Sequence, residues 1–171
     1  SPDLSDAIVD RAMFHIDNCY YLASVTVRGY RVKTNKVSNT AFRGFGGPQG
    51  ILAIENVIEE IASAAGLDPL VVRQRNFYRP SDNRDTTHYG QRIEQHIIQP
   101  LVARLIINSE YHKRKNEIHQ FNKTSAVLKR GIAITPVKFG ISFTVTHLNQ
   151  AGALLHIYTD GSAVSYTHLR A

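Results

Sequence analysis

The residues from Ser38 to Gly50, SNTAFRGFGGPQG, set Phe42, Arg43 and Phe45 among four of the chain's 11 glycines. Glycines permit positive φ and let backbone N–H groups face an anion at a helix N-terminus, so Gly44, Gly46 and Gly47 could cradle a phosphate. The spacing fits neither common cradle. A Walker loop needs Lys and then Ser or Thr after its last glycine, whereas Pro48 and Gln49 follow here. A dinucleotide fingerprint needs an apolar strand just before it, and TNKVSNTAF is polar. A glycine-rich turn accounts for the glycines. It leaves unexplained a large cationic side chain between two rings, where the backbone is being thinned for close approach.

A second chemical group lies upstream. Arg11 has Ala7, Ile8, Phe14 and His15 at the helical neighbour positions, so no carboxylate lies three or four residues away to pair with it. A guanidinium is permanently charged and offers a planar fork of donors to oxygen. Other candidates are weaker. The eight histidines are scattered, and His112 and His119, seven apart on one predicted helix face, read as solvated surface rather than a metal site. Cys19 falls on an apolar stripe and reads as buried, and no nucleophile elbow or carboxylate pair stands out.

The elements that must position these groups follow from periodicity. Ile8, Ala12, Ile16 and Cys19 form one helical stripe. ASVTVRGYRVKT alternates as β structure, with a parity change at Arg28 and Gly29 that predicts a bulge or tight turn. Pro48 is suited to a first helical position, and Ile51, Ile54, Ile58, Ile61 and Ala65 hold one face until Gly66. Asp68 and Pro69 restart a short helix, and Tyr78 to Gln91 read as a loop. Two helices follow, split near Asn108 and Ser109. RGIAITPVKFGISFTVT is β-like, and ALLHIYTDG is a last strand with an Asp160–Gly161 turn. Helices and β segments do not alternate regularly, so the predicted class is α+β.

Composition narrows the function classes. The 171 residues are 43% hydrophobic, enough for one ordinary core. Twenty Lys and Arg against 14 Asp and Glu give a formal net charge of +6, but the basic residues are dispersed as on a solvated surface, which argues against nucleic acid as the partner. No run approaches a membrane span, and the acidic SPDLSDAIVD is unlike a signal peptide. A lone cysteine cannot hold an iron–sulfur cluster and points to the reducing cytoplasm.

Five blocks in register, NTAFRGFGGPQG, LDPLVVRQRN, TPVKFGISFT, LNQAGAL and YTDG, resemble the molybdopterin-binding region of the molybdenum hydroxylases, the aldehyde oxidase–xanthine dehydrogenase family, over residues 3 to 162. The resemblance implies an oxidoreductase. Its cofactor is molybdenum on a molybdopterin dithiolene, and electrons leave through 2Fe-2S clusters and FAD carried by other domains or subunits of an oligomeric parent. The substrate implied is a purine, hypoxanthine or xanthine. The protein's part is to orient that purine and stabilise the charge that develops on it.

On the positions that match, Arg11 takes the place of the arginine that faces the purine oxygen and stabilises negative charge in the transition state. Arg43 stands where the main chain approaches molybdenum, with Phe42, Gly44, Gly46 and Gly47 as its cofactor-side neighbours. Phe45 and Phe143 match the two rings that sandwich the purine, and Thr144 matches a hydroxyl that hydrogen-bonds a substrate oxygen. In a regular strand Phe143 and Thr144 would point to opposite faces, so sharing one ligand requires the chain to leave strand geometry there.

The family's base glutamate and a second substrate-contacting glutamate have no counterpart in these residues. The resemblance therefore implies an internal fragment, inactive by itself, with residues 1–128 from the latter part of one molybdopterin-binding domain and 129–162 opening the next. Where the family continues into a glycine-rich cofactor loop, residues 163–171 read AVSYTHLRA and are expected to be a non-family tail. An aldehyde-oxidising member of the family is the alternative, with Arg11 the discriminating residue. Outside the enzyme class, a non-catalytic nucleotide-binding or interaction module is the rival.

Overall fold

The computed structural model describes residues 4–141 and 151–169. Its elements are α1 (Ser5–Phe14), α2 (Gly47–Ala65), α3 (Pro69–Asn76), a short 3-10 turn (Ser81–Asn83), α4 (Ile98–Asn108), α5 (Tyr111–Thr124), and the strands β1 (Ala151–Ile157) and β2 (Ala163–Leu169). The class is α+β, with helices dominant and a two-stranded antiparallel sheet.

α2 starts and stops as its sequence predicts, but its buried face turns towards Ala62 and leaves Ile61 and Ala65 of the expected face exposed. Pro48 enters in the first turn, Ile54, Ile58 and Ala62 are buried along one face, and Gly66 closes the helix in the left-handed region at φ 64°. Gly66 N–H then bonds Ser63 O at 3.2 Å and Leu67 N–H bonds Ala62 O at 2.9 Å. That pair of bonds satisfies carbonyls the helix would otherwise leave open. α3 begins at once because the Asp68 carboxylate accepts the Leu70 N–H at 2.9 Å. The same carboxylate pairs with Lys115 of α5 and so ties the two helices together. Asp68→Ala is expected to cost about 1 kcal/mol, and Asp68→Asn appreciably less, as read from the midpoint of a urea titration. Equal losses in the two variants would show that the cap contributes nothing.

The core gathers Cys19, Tyr20, Ile54, Ile58, Ala62, Leu70, Val72, Phe77, Val102, Tyr111 and Ile134. Tyr20 and Phe77 lie opposite each other in an isolated antiparallel bridge, their rings stacked at 6.0 Å. Burial pushes the Cys19 thiol up to about 12, so it is an inert packing group, as its place on the stripe predicted. The break between α4 and α5 falls where expected. Ser109 Oγ donates to Leu105 O at 2.7 Å and Glu110 takes φ 49°, which ends one helix and starts the next.

Two β expectations fail. Residues 23–34 form no strand, and Val25, Tyr30 and Val32 are exposed, because no described segment lies alongside to complete a ladder. Gly29 marks a close approach rather than a bulge, since a Cβ there would sit 2.3 Å from Val9 Cγ1 of α1. Residues 130–141 likewise form no strand; side chains of α1 and the turn after it bond the backbone of Pro136, Lys138 and Gly140 instead, and Asn122 of α5 bonds that of Arg130. The remainder of that β-like run, 142–150, lies outside the described residues. The last strand is present as β1, and it pairs with β2 from Ala151↔Leu169 to Ile157↔Ala163. The Asp160 carboxylate orders the hairpin turn by accepting Ser162 N–H at 2.9 Å and Ser162 Oγ–H at 2.7 Å.

Candidate functional site

α1 inverts its expected pattern. Arg11 is its one fully buried residue, at 4% exposure, while the apolar stripe residues Ile8 and Ala12 are only half-buried. The burial has a cause 129 residues away: Arg11 Nη2 donates to Gly140 O, and the guanidinium lies over the Phe139 ring at 5.0 Å from its centroid. Burial pushes the Arg11 guanidinium pKa below its ordinary value, yet a guanidinium stays charged. One helical turn on, His15 accepts Gly140 N–H on Nε2 at 3.0 Å. Its Nδ1 faces Arg11 O at 2.8 Å. Gly140 N is only a donor and Arg11 O only an acceptor, so the imidazole is neutral with its proton on Nδ1. Burial lowers the His15 pKa below its ordinary value, the Arg11 charge pushing the same way against the bond to Arg11 O.

The turn after α1 extends the same strapping. Asn18, fully buried at φ 43°, donates from Nδ2 to Pro136 O at 2.9 Å and accepts Lys138 N–H on Oδ1 at 3.0 Å. A side-chain amide thus pairs with the main chain around Val137 as a neighbouring strand would. Asp17, also fully buried, accepts from Lys138 Nζ at 2.5 Å and from Tyr78 OH at 2.6 Å. Segment 136–140 is therefore fixed to α1 and its turn from both ends.

The glycine-rich loop reaches the same place from the other side. Gly44, Phe45 and Gly46 take φ 92°, 51° and 101°, three successive left-handed residues leading into α2. For Phe45 that conformation stores about 1–3 kcal/mol, the kind of strain that collects at ligand sites. The glycines answer to packing within the chain. A Cβ on Gly46 would lie 2.0 Å from Ile8 O, one on Gly50 2.2 Å from Ala12 O, and one on Gly47 2.4 Å from Phe139 Cε2. α1 and α2 cross backbone to backbone, and Phe139 fills the space that Gly47 leaves.

Of the residues singled out from sequence, Arg11, Gly44 and Gly47 lie around Phe139, while Gly46 packs against the α1 backbone at Ile8. Gly44 and Phe45 are half-buried at the loop's bend, Phe42 and Arg43 are exposed on its outer side, and Phe143 and Thr144 lie outside the described residues. His112 and His119 are exposed on α5. Sequence reasoning passed over His15, Asn18 and Phe139. Their one trace is that Arg11, His15 and Asn18 recur at i, i+4 and i+7, a polar stripe on one helix face.

α2 opens without a side-chain cap and without an acidic residue in its first turn, behind a strained glycine bend. A buried cation, clamped by a carbonyl and a ring, stands across Phe139 from that bend. Such an arrangement fits an anionic cofactor on the loop side and an oxygen-bearing substrate before the arginine.

Two family models described as molybdopterin cofactor-binding domain match residues 1–77 and 104–170. The xanthine dehydrogenase of Drosophila subobscura is 49% identical over 164 residues, 96% of this chain and 12% of that protein. The xanthine dehydrogenase/oxidase of Felis catus is 49% identical over 166 residues, 97% of this chain and 12% of that protein. The aldehyde oxidoreductase of Desulfovibrio desulfuricans superposes with a TM-score of 0.64 at 23% identity, over 95% of this chain and 17% of that one, which supports the fold. The chain belongs to the molybdopterin cofactor-binding domain family, and it spans about an eighth of the length of the dehydrogenases it matches.

Proposed function

We propose that these residues are a stretch of a molybdenum-dependent purine hydroxylase, a cytoplasmic oxidoreductase acting on hypoxanthine and xanthine, and that they supply its substrate-orienting cation. The observation that carries this reading is Arg11. It is a guanidinium buried in the fold, aimed by a main-chain carbonyl and backed by a ring, on a chain half identical to xanthine dehydrogenases. When bound, a molybdenum–molybdopterin group supplies the two-electron redox chemistry, with 2Fe-2S and FAD domains of the parent as the electron outlet. No helix among the described residues is long and apolar enough to cross a membrane.

The chain's own residues then divide the work of holding the purine. Arg11 meets the purine oxygen and stabilises the negative charge that grows there, where burial strengthens every electrostatic contact. Phe45 and Phe143 contribute the rings, worth about 0.5–1.5 kcal/mol each beyond area, and Thr144 a hydroxyl to a second oxygen. The uncapped start of α2, with the main chain of Arg43, Gly44, Gly46 and Gly47, faces the cofactor.

Arg11→Ala in the full-length protein is expected to lower kcat/KM for xanthine roughly 100-fold, the scale of removing one charge-stabilising donor. Molybdenum content should be unchanged. Undiminished xanthine turnover in that variant would remove Arg11 from the reaction. An aldehyde-oxidising enzyme would instead turn over aldehydes well and respond weakly to the substitution.

A further inference from the structure

We propose that His15 is a positioning residue for Arg11, acting through the main chain of Gly140; the inference rests on the purine-hydroxylase reading. An arginine side chain reaches its target through several rotatable bonds, so something must hold its fork in one orientation. Here that is the Gly140 carbonyl together with the Phe139 ring. What in turn holds Gly140 is the deciding question. Gly140 has no side chain, and among the described residues even a Cβ built on it would meet only the His15 ring, at 3.6 and 3.8 Å. Among the described residues, Gly140 itself is therefore held by hydrogen bonds rather than by side-chain packing of its own.

His15 closes the circuit. The imidazole spans from Arg11 O, 2.8 Å from Nδ1, to Gly140 N–H, 3.0 Å from Nε2, and the Gly140 carbonyl returns to the Arg11 side chain. Arg11 thus reaches Gly140 twice, once through its own fork and once through the ring of the residue four positions on. The His15 ring also leans on Phe139, with centroids 4.9 Å apart and planes at 41°, so one side chain steadies both groups that aim the guanidinium. Remove the Nε2 acceptor and the Gly140 N–H loses its bond, leaving the φ and ψ of a glycine free to change and so to swing away the carbonyl to which Arg11 donates. The acceptor must be neutral, because an imidazolium would present N–H to N–H.

The test is a double-mutant cycle in the full-length protein, read by xanthine turnover and by amide exchange of a peptide covering 134–141. His15→Leu is expected to lower kcat/KM roughly 10- to 100-fold, the cost of about an ångström of misplacement. It should also strip protection from that peptide. His15→Gln, whose Oε1 can accept the same N–H, should recover most of both. In an Arg11→Ala background, His15→Leu should cost less than about twofold more, since a positioning residue has nothing left to position. An equal loss in both backgrounds, or unchanged exchange in His15→Leu, overturns the proposal. If the unmutated protein does not turn over xanthine, the purine reading falls, and exchange in the His15 variants still decides whether the clamp exists.

Discussion

Gly46→Ala is expected to lose about 4 kcal/mol of stability, the sum of two effects that act at the same atom. The residue sits at φ 101°, where an L side chain is strained, and its Cβ would lie 2.0 Å from Ile8 O and 2.9 Å from Ile8 C. Both obstacles are backbone, so no rotamer change relieves them and α1 must back away from α2. That retreat would carry Arg11 with it, because Arg11 lies on the helix being displaced. Gly66→Ala is the matched comparison. Gly66 is also left-handed, at φ 64°, but a Cβ there would have nothing within 4 Å. Its loss should be only the conformational part, about 1–2 kcal/mol. Urea titrations of the two variants, followed by circular dichroism, separate the contributions. Equal losses would mean that α1 and α2 do not cross backbone to backbone.

The same contact explains which parts of the site the sequence reveals and which it hides. α2 and α3 are legible because their signals are local: a proline near each start, an apolar face at helical period, Gly66 to stop one helix and Asp68 to begin the next. The glycine stretch is legible as a place of close approach, but not the identity of what approaches. The visitor at Gly46 and Gly50 is α1, some 40 residues earlier. Arg11 was visible as a cation with no carboxylate three or four residues away, yet its burial involves Gly140, 129 residues on. The failed strands have the same origin. Alternation reports that a segment can lie extended with one side buried, not that a ladder is available to it. Around Val137 the partner is the Asn18 amide, which no strand pattern announces.

The second large effect is expected at Arg73, which ties α3 to the floor of the site. Its side chain is 3% exposed; Nε donates to Glu55 Oε2 at 2.9 Å and Nη2 to Glu59 Oε1 at 2.5 Å. Although burial works against its charge, the Glu59 and Glu55 carboxylates hold the Arg73 pKa above its ordinary value. Glu55 in turn receives Asn18 Nδ2 at 2.8 Å and Tyr20 OH at 2.5 Å on its other oxygen. The carboxylate is thus the hub through which α3 and α2 reach the Asn18 turn and, beyond it, segment 136–140. Arg73→Met fills similar space but leaves Glu55 charged, buried and without its cation, so a loss of about 3–5 kcal/mol is expected. Adding Glu55→Gln should recover a large part of it, because a neutral amide still accepts from Asn18 and Tyr20 and no longer needs a counter-charge. Urea titration of the two single variants and the double checks this. A double variant no more stable than Arg73→Met would show that geometry, rather than charge, makes the pair matter. Recovery would show that the buried ion pair holds Asn18 in place by satisfying Glu55, so that an arginine on α3 helps fix the strap that aims Arg11.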